Sequence, residues 1–361
     1  MNTERNYGIE LLRIIAGLFV IVYHALGQGG VLENLIEGTL SFKIVWLIGI
    51  ISYCAVDVFV LISGYTSISI IEKEYDWSKL ILLWLEVLYY SVVVYIGFSL
   101  IKGFSITPGV LLSYFFPIMN LSEYWFFASY LCLMMLKPLL DKGIRNTNEN
   151  TLKTLFIILI LIVSIYTIIV DRFFLILGQS PYWFVVLYVM GAIIKKCEFD
   201  KKISNLKLMC LWAGFVLLTW AYKCYGPVFY IFNHRIYDRT FISSYTSPTI
   251  LGCAIVYVIA FSRMKFSDTI NKIIRFASPS VFAIYLINTH PLYWNYELKN
   301  KFLEYAPRRI SVLLPKILIF CVSFFLFAIL IDKIRQYIFQ KLQIRNKVYK
   351  LLYTHKSKII K

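Results

Sequence analysis

A chain of 361 residues that is 59% hydrophobic and 17% aromatic lies beyond the roughly 45–50% apolar content of soluble domains. Its apolar residues come in blocks about 17–25 residues long, too long and continuous for barrel strands, so the sequence reads as an all-α, polytopic membrane bundle. The net charge of +17 does not call for nucleic acid, because the basic residues cluster between apolar blocks and at the C-terminal end, as membrane topology requires.

Seven cysteines (Cys54, Cys132, Cys197, Cys210, Cys224, Cys253 and Cys321) form no C-x-x-C pair. An odd count without spacing argues against a disulfide framework or a zinc site. They read as small buried hydrophobes, and no metal is expected.

About ten spans are predicted, near residues 8–27, 44–70, 79–101, 121–140, 152–170, 181–195, 207–223, 244–262, 278–296 and 311–331. Together they make a membrane domain over 1–331, followed by a basic tail over 332–361. Segment 108–119, bounded by prolines, is too short to span and reads as re-entrant or interfacial. With the N-terminus in the cytoplasm, the cytoplasmic segments carry the larger share of Lys and Arg, so both termini are placed on that side of an inner or plasma membrane. The last outer loop (Lys299, Lys301, Arg308, Arg309, Lys316) breaks this trend. The tail interleaves basic and apolar residues, as in a helix lying on an anionic leaflet, so membrane lipids are expected partners.

The first span, ELLRIIAGLFVIVYH (10–24), carries Glu10, Arg13 and His24. Arg13 and His24 are eleven residues apart, about 20° beyond three full helical turns, so they share one face roughly 16 Å apart along the axis. Glu10, three residues before Arg13, is placed to pair with it. Such a stripe must face protein or a water-filled cavity. Taken singly, Arg13 also reads as a snorkelling anchor and His24 as an interfacial histidine. In the second span, VDVFVLISGYTSI (56–68), Asp57 needs a partner at membrane depth, with Arg13 or another cation the obvious candidate. Ser63-Gly64 suits close helix packing. Glu86 and Glu123 are further polar candidates at the third and fourth spans. Trp125 and Tyr130 read either as site lining or as part of an aromatic belt. His234, Arg235, Asp238 and Arg239 fall on an irregular outer stretch.

Arg13-x10-His24, followed by Asp57…Ser63-Gly64-Tyr65, resembles the integral-membrane acyltransferase family 3. YWFFASYLCLMMLKPLL (124–140) is similar to that family's aromatic span, and FAIYLINTHPLYW (282–294) to its late Tyr-Leu-Ile-His segment. The resemblance runs through essentially the whole chain. It implies transfer of an acyl group, usually acetyl, from acetyl-CoA to cell-surface or lipid-linked glycans such as capsule, O-antigen or exopolysaccharide. It implies catalytic roles for His24 and Arg13, with Arg13 at the CoA end and His24 as general base or, less expectedly, as a covalent acetyl carrier. Asp57 joins this catalytic set by orienting a cation or His24, or is structural.

Two departures stand out. The family's arginine pair in the first cytoplasmic loop is absent, leaving Lys73 and Lys79, or loops elsewhere, as candidate CoA-phosphate contacts. Asn288 stands where the late histidine would be, and His290 follows about 200° further round a helix. His290 is therefore either a second functional histidine or a polar cap before Pro291. Glu10, Glu123, Trp125, Tyr130 and His290 form the candidate substrate-contact set. The alternatives are a polysaccharide or lipid-linked sugar flippase, for which internal repeats and broken midplane helices would be expected, and another membrane acyltransferase class with a lipid acceptor.

Overall fold

The computed structural model describes residues 5–69, 75–104, 106–116, 124–168, 171–230 and 244–353, with backbone alone for 69, 168 and 226–230. Among them every regular element is helical. Helices α1 (Tyr7–Leu26), α2 (Leu40–Tyr53), α3 (Ala55–Ser69), α4 (Ser78–Lys102) and α5 (Pro108–Tyr114) come first. They are followed by α6 (Trp125–Asn146), α7 (Glu149–Ile158), α8 (Pro181–Lys196), α9 (Asn205–Tyr230) and α10 (Pro248–Ser262). The chain then forms α11 (Asp268–Ala277), α12 (Val281–Asn288), α13 (Ile310–Lys341) and α14 (Ile344–Tyr353).

Six described stretches are long and apolar enough to cross a membrane: Tyr7–Leu26, Leu40–Ile68, Ser78–Lys102, Asn205–Tyr225, Asp268–Asn288 and Ile310–Lys341. Shorter apolar Pro248–Ser262 adds to them. The protein is a polytopic helical membrane bundle, with several boundaries displaced from those read in the sequence. The span expected at 278–296 instead rises through α11 and a 3-10 turn at Ser278–Ser280 into α12. It ends at Asn288, three residues before Pro291, whose ring and missing N–H cannot continue a helix. Helix α13 runs on to Lys341, burying Asp332 and Arg335, and α14 packs on α4.

Helix α1 is the hub. Asn6 starts it: its side-chain oxygen accepts from the Ile9 N–H at 3.0 Å, and its amide donates to the Ser262 carbonyl at 2.8 Å. At Gly8 an added Cβ would sit 1.8 Å from the Phe261 carbonyl, so α1 and the end of α10 touch backbone to backbone. From there α1 packs against α2, α3, α10, α11, α12 and α13. Leu12, Ala16, Ile21 and Ala25 are fully buried.

The apolar stretch Leu40–Ile68 is not one straight helix. It breaks at Cys54, where the Ser52 hydroxyl donates back to the carbonyls of Ile48 (2.9 Å) and Gly49 (3.0 Å). Such back-bonding loosens a helix locally. The break turns Ser52, Tyr53, Ala55 and Val56 toward an internal cavity. Beyond it, α3 meets α8 through two reciprocal glycines. A Cβ on Gly64 would lie 1.9 Å from the Tyr188 carbonyl, and one on Gly191 2.1 Å from the Leu61 carbonyl. Gly64 is thus a close-packing residue, as the sequence suggested, whereas Ser63 lines the cavity.

Gly64→Ala or Gly191→Ala is expected to destabilise the purified protein by about 1–3 kcal/mol through overpacking. Gly97→Ala, where a Cβ meets nothing within 4 Å, is expected to leave the melting temperature in detergent unchanged or slightly raised.

Candidate functional site

A cavity of about 250 Å³ lies within the bundle. Helix α1 contributes Arg13, Val20, Tyr23 and His24 to its wall, which is the stripe derived from helical spacing. The α2–α3 break contributes Tyr53 and its neighbours, α6 contributes Trp125, Phe126 and Tyr130, and α12 contributes Val281, Phe282 and Tyr285. Between the two polar ends of the stripe, Gly17 lets α12 close in: a Cβ there would stand 2.8 Å from Val281 Cγ1. The walls are mainly apolar and aromatic, with few polar groups, the usual make-up of a small-molecule site.

At one end, Arg13 Nη1 donates to Glu10 Oε1 at 2.9 Å. Glu10 Oε2 accepts from Arg5 Nη2 at 3.0 Å and also from the Ser278 hydroxyl. The carboxylate is therefore fully engaged and ties Arg13 to both the N-terminal segment and the turn before α12. Arg13 remains 31% exposed while Glu10 is 14% exposed, so the guanidinium is the more accessible group.

At the other end, His24 Nδ1 lies 2.5 Å from Asn288 Oδ1, and Trp294 packs edge-on against the ring at 4.8 Å. With the amide oxygen turned to the ring, Nδ1 is the donor and Nε2 keeps its lone pair. That is the tautomer of a base. Asn288 is fully buried, and its Nδ2 has no partner among the described residues. In the sequence Asn288 stands out solely as a departure from an expected histidine; its partnership with His24 is long-range and invisible there.

His290 is held elsewhere. Its Nε2 donates to the Ser91 carbonyl at 3.1 Å, its Nδ1 accepts from Leu292 N–H at 3.3 Å, and its ring stacks on Tyr114. Both nitrogens are engaged, and the residue caps the turn starting at Pro291. It is not part of the cavity wall.

Asp57 differs from the expected pairing. Arg13 bonds to Glu10, and Asp57 Oδ1 instead accepts from the Trp183 indole N–H at 3.1 Å. Asp57 is fully buried behind the cavity wall, and Oδ2 has no partner among the described residues. The physical reason is local: Glu10 sits one turn from Arg13 on the same helix face, where it reaches the guanidinium without crossing between helices. Glu86 is likewise outside the cavity wall; it pairs with Arg335 at 3.1 Å, and Arg335 pairs with Asp332 at 2.6 Å.

Trp125 and Tyr130 do line the cavity, and the Tyr130 hydroxyl meets Ser63 Oγ at 2.9 Å. Lys79 is exposed in the first turn of α4, away from the cavity wall. Lys73, Glu123, His234, Arg235, Asp238, Arg239 and His355 lie outside the described residues. Tyr285, from the late Tyr-Leu-Ile segment, also lines the cavity, while Tyr23, Tyr53 and Tyr245 join it without any prior signal, since 27 tyrosines in the sequence conceal which few converge. Tyr53 and Tyr245 stack with centroids 4.6 Å apart.

Fold and cavity together define an integral-membrane protein whose first helix carries a guanidinium and an imidazole into one internal site. The family model described as an acyltransferase domain, that of the acyltransferase 3 family, matches residues 6–333. The chain belongs to this family and is a membrane acyltransferase. No curated protein and no solved structure gives a significant match.

Trp183→Phe removes the indole donor from Asp57 and is expected to cost about 1–3 kcal/mol in thermal unfolding. In the Asp57→Asn background the same change should cost less, because a neutral amide tolerates the lost donor better.

Proposed function

We propose that the protein transfers an acetyl group from cytoplasmic acetyl-CoA to a hydroxyl of a cell-surface or lipid-linked glycan, with both termini cytoplasmic in the inner or plasma membrane. The observation that carries this reading is that Arg13 and His24 line one cavity, roughly 16 Å apart along a single helix face. A guanidinium suits the phosphates of CoA. The extended pantetheine arm then runs along the aromatic wall and presents its thioester near His24.

In this reading His24 Nε2 takes the proton of the acceptor hydroxyl as its oxygen attacks the acetyl carbonyl. A C–O bond forms, the tetrahedral intermediate collapses with loss of the C–S bond, and the departing thiolate receives the proton from His24. Asn288 supports this role by holding Nδ1–H, so that Nε2 stays available. Glu10 acts through Arg13 by fixing its position. Aromatic residues Tyr23, Tyr53, Trp125 and Tyr245 exclude water from the thioester, which favours transfer over hydrolysis.

The test is complementation of a deletion strain with wild type, His24→Ala or Arg13→Ala, followed by NMR of O-acetyl groups on the purified surface polysaccharide. His24→Ala should lose acetylation, about 10²–10⁴-fold in rate, while the polysaccharide itself is still made. Normal acetylation with His24→Ala would refute the mechanism, and loss of the polysaccharide would favour a flippase. With purified enzyme, Asn288→Ala should lower kcat about ten- to a hundredfold, the value of a lost buried hydrogen bond, with little change in KM for acetyl-CoA.

A further inference from the structure

Arg5 and Arg13 are the sole arginines before Arg145, and both converge on one carboxylate. Arg5 Nη2 reaches Glu10 Oε2 and Ser278 Oγ, each at 3.0 Å, while Arg13 Nη1 reaches Glu10 Oε1 at 2.9 Å. Glu10 holds one negative charge against two positive ones. Arg5 Nε and Nη1, and Arg13 Nε and Nη2, have no partner among the described residues. The two side chains are 39% and 31% exposed. Arg275 on α11 donates to the Tyr7 hydroxyl and lies 5.7 Å from that ring. The Asn6 cap, anchored on the Ser262 carbonyl, fixes the backbone beside Arg5. Two guanidinium edges fixed on a shared acid and open outward are preorganised for phosphate oxygens.

We infer that Arg5, clamped beside Arg13 by Glu10, binds the terminal 3′-phosphate of the acyl donor at the cavity mouth. This rests on the acyl-CoA reading above. Arg13 lines the cavity itself, so it takes the diphosphate where the arm enters. Arg5 precedes the first helical turn, further from His24, and takes the phosphate that projects from the ribose. Glu10 is a positioning residue: it holds the two guanidinium groups apart at a fixed spacing and keeps their mutual repulsion low.

The test is isothermal titration of the full-length, detergent-purified protein with acetyl-CoA and with acetyl-dephospho-CoA, which lacks only the 3′-phosphate. Wild type should bind acetyl-CoA about ten- to a hundredfold more tightly than the dephospho compound, the range for charge-assisted hydrogen bonds. Arg5→Ala should bind both equally, at the wild-type affinity for the dephospho compound. Arg5→Lys should keep part of the preference, as a point charge without the fork. If Arg5→Ala weakens both compounds by the same factor, the residue is structural and the inference is overturned. A wild type that binds neither compound overturns the acyl-CoA reading itself. A phosphate supplied by a lipid headgroup gives a different pattern: Arg5→Ala would reduce phosphatidylglycerol retained in native mass spectrometry and leave the acetyl-CoA preference intact, which also overturns the inference.

Discussion

A guanidinium and an imidazole on one face of a membrane-crossing helix cannot face lipid, and that constraint organises the protein. Helix α1 is accordingly placed at the centre, packed against six other helices. Its remaining faces are sealed by Leu12, Ala16, Ile21 and Ala25. Each end of the stripe then has its own support. Glu10 holds Arg13 through a one-turn ion pair, and Asn288 holds His24 across 264 positions of sequence. The glycine at 17, where α12 approaches, lets both supports coexist with one continuous cavity.

The other ionisable groups within the described bundle obey the same constraint in different ways. Glu86 and Asp332 share the single guanidinium of Arg335, and the Tyr90 hydroxyl donates to Asp332 at 2.7 Å. Removing one member would leave a buried charge uncompensated, which is costly in any low-dielectric interior. Asp57 is served by a neutral indole donor. His290 has both nitrogens engaged by backbone. Against these, His24 stands apart: one nitrogen is fixed and the ring lines open space. In the proposed mechanism that contrast, more than the presence of a histidine, suits His24 to act as the base.

The fold class was legible because membrane spans are written as long apolar blocks. The Arg13–His24 stripe was legible because helical geometry converts spacing into direction. Gly64 was legible as a packing residue for the same reason that small residues recur where helices touch. What the sequence hid depends on contacts between distant segments. Asn288 is one residue from Thr289 and two from His290, yet it alone of the three meets His24. Asp57 was expected to need a cation, but a shorter route to Arg13 was open to Glu10. The break at Cys54, beside the back-bonded Ser52 hydroxyl, is a local feature that apolar block length does not reveal.

The proposed transfer requires the donor to span the cavity from Arg13 to His24. A structure of the protein bound to a non-hydrolysable acetyl-CoA analogue measures this directly. The predicted result is phosphate density against Arg13 and the acyl carbonyl beside His24 Nε2, within about 4 Å. A donor bound outside the cavity, or one whose acyl group points away from His24, would contradict it.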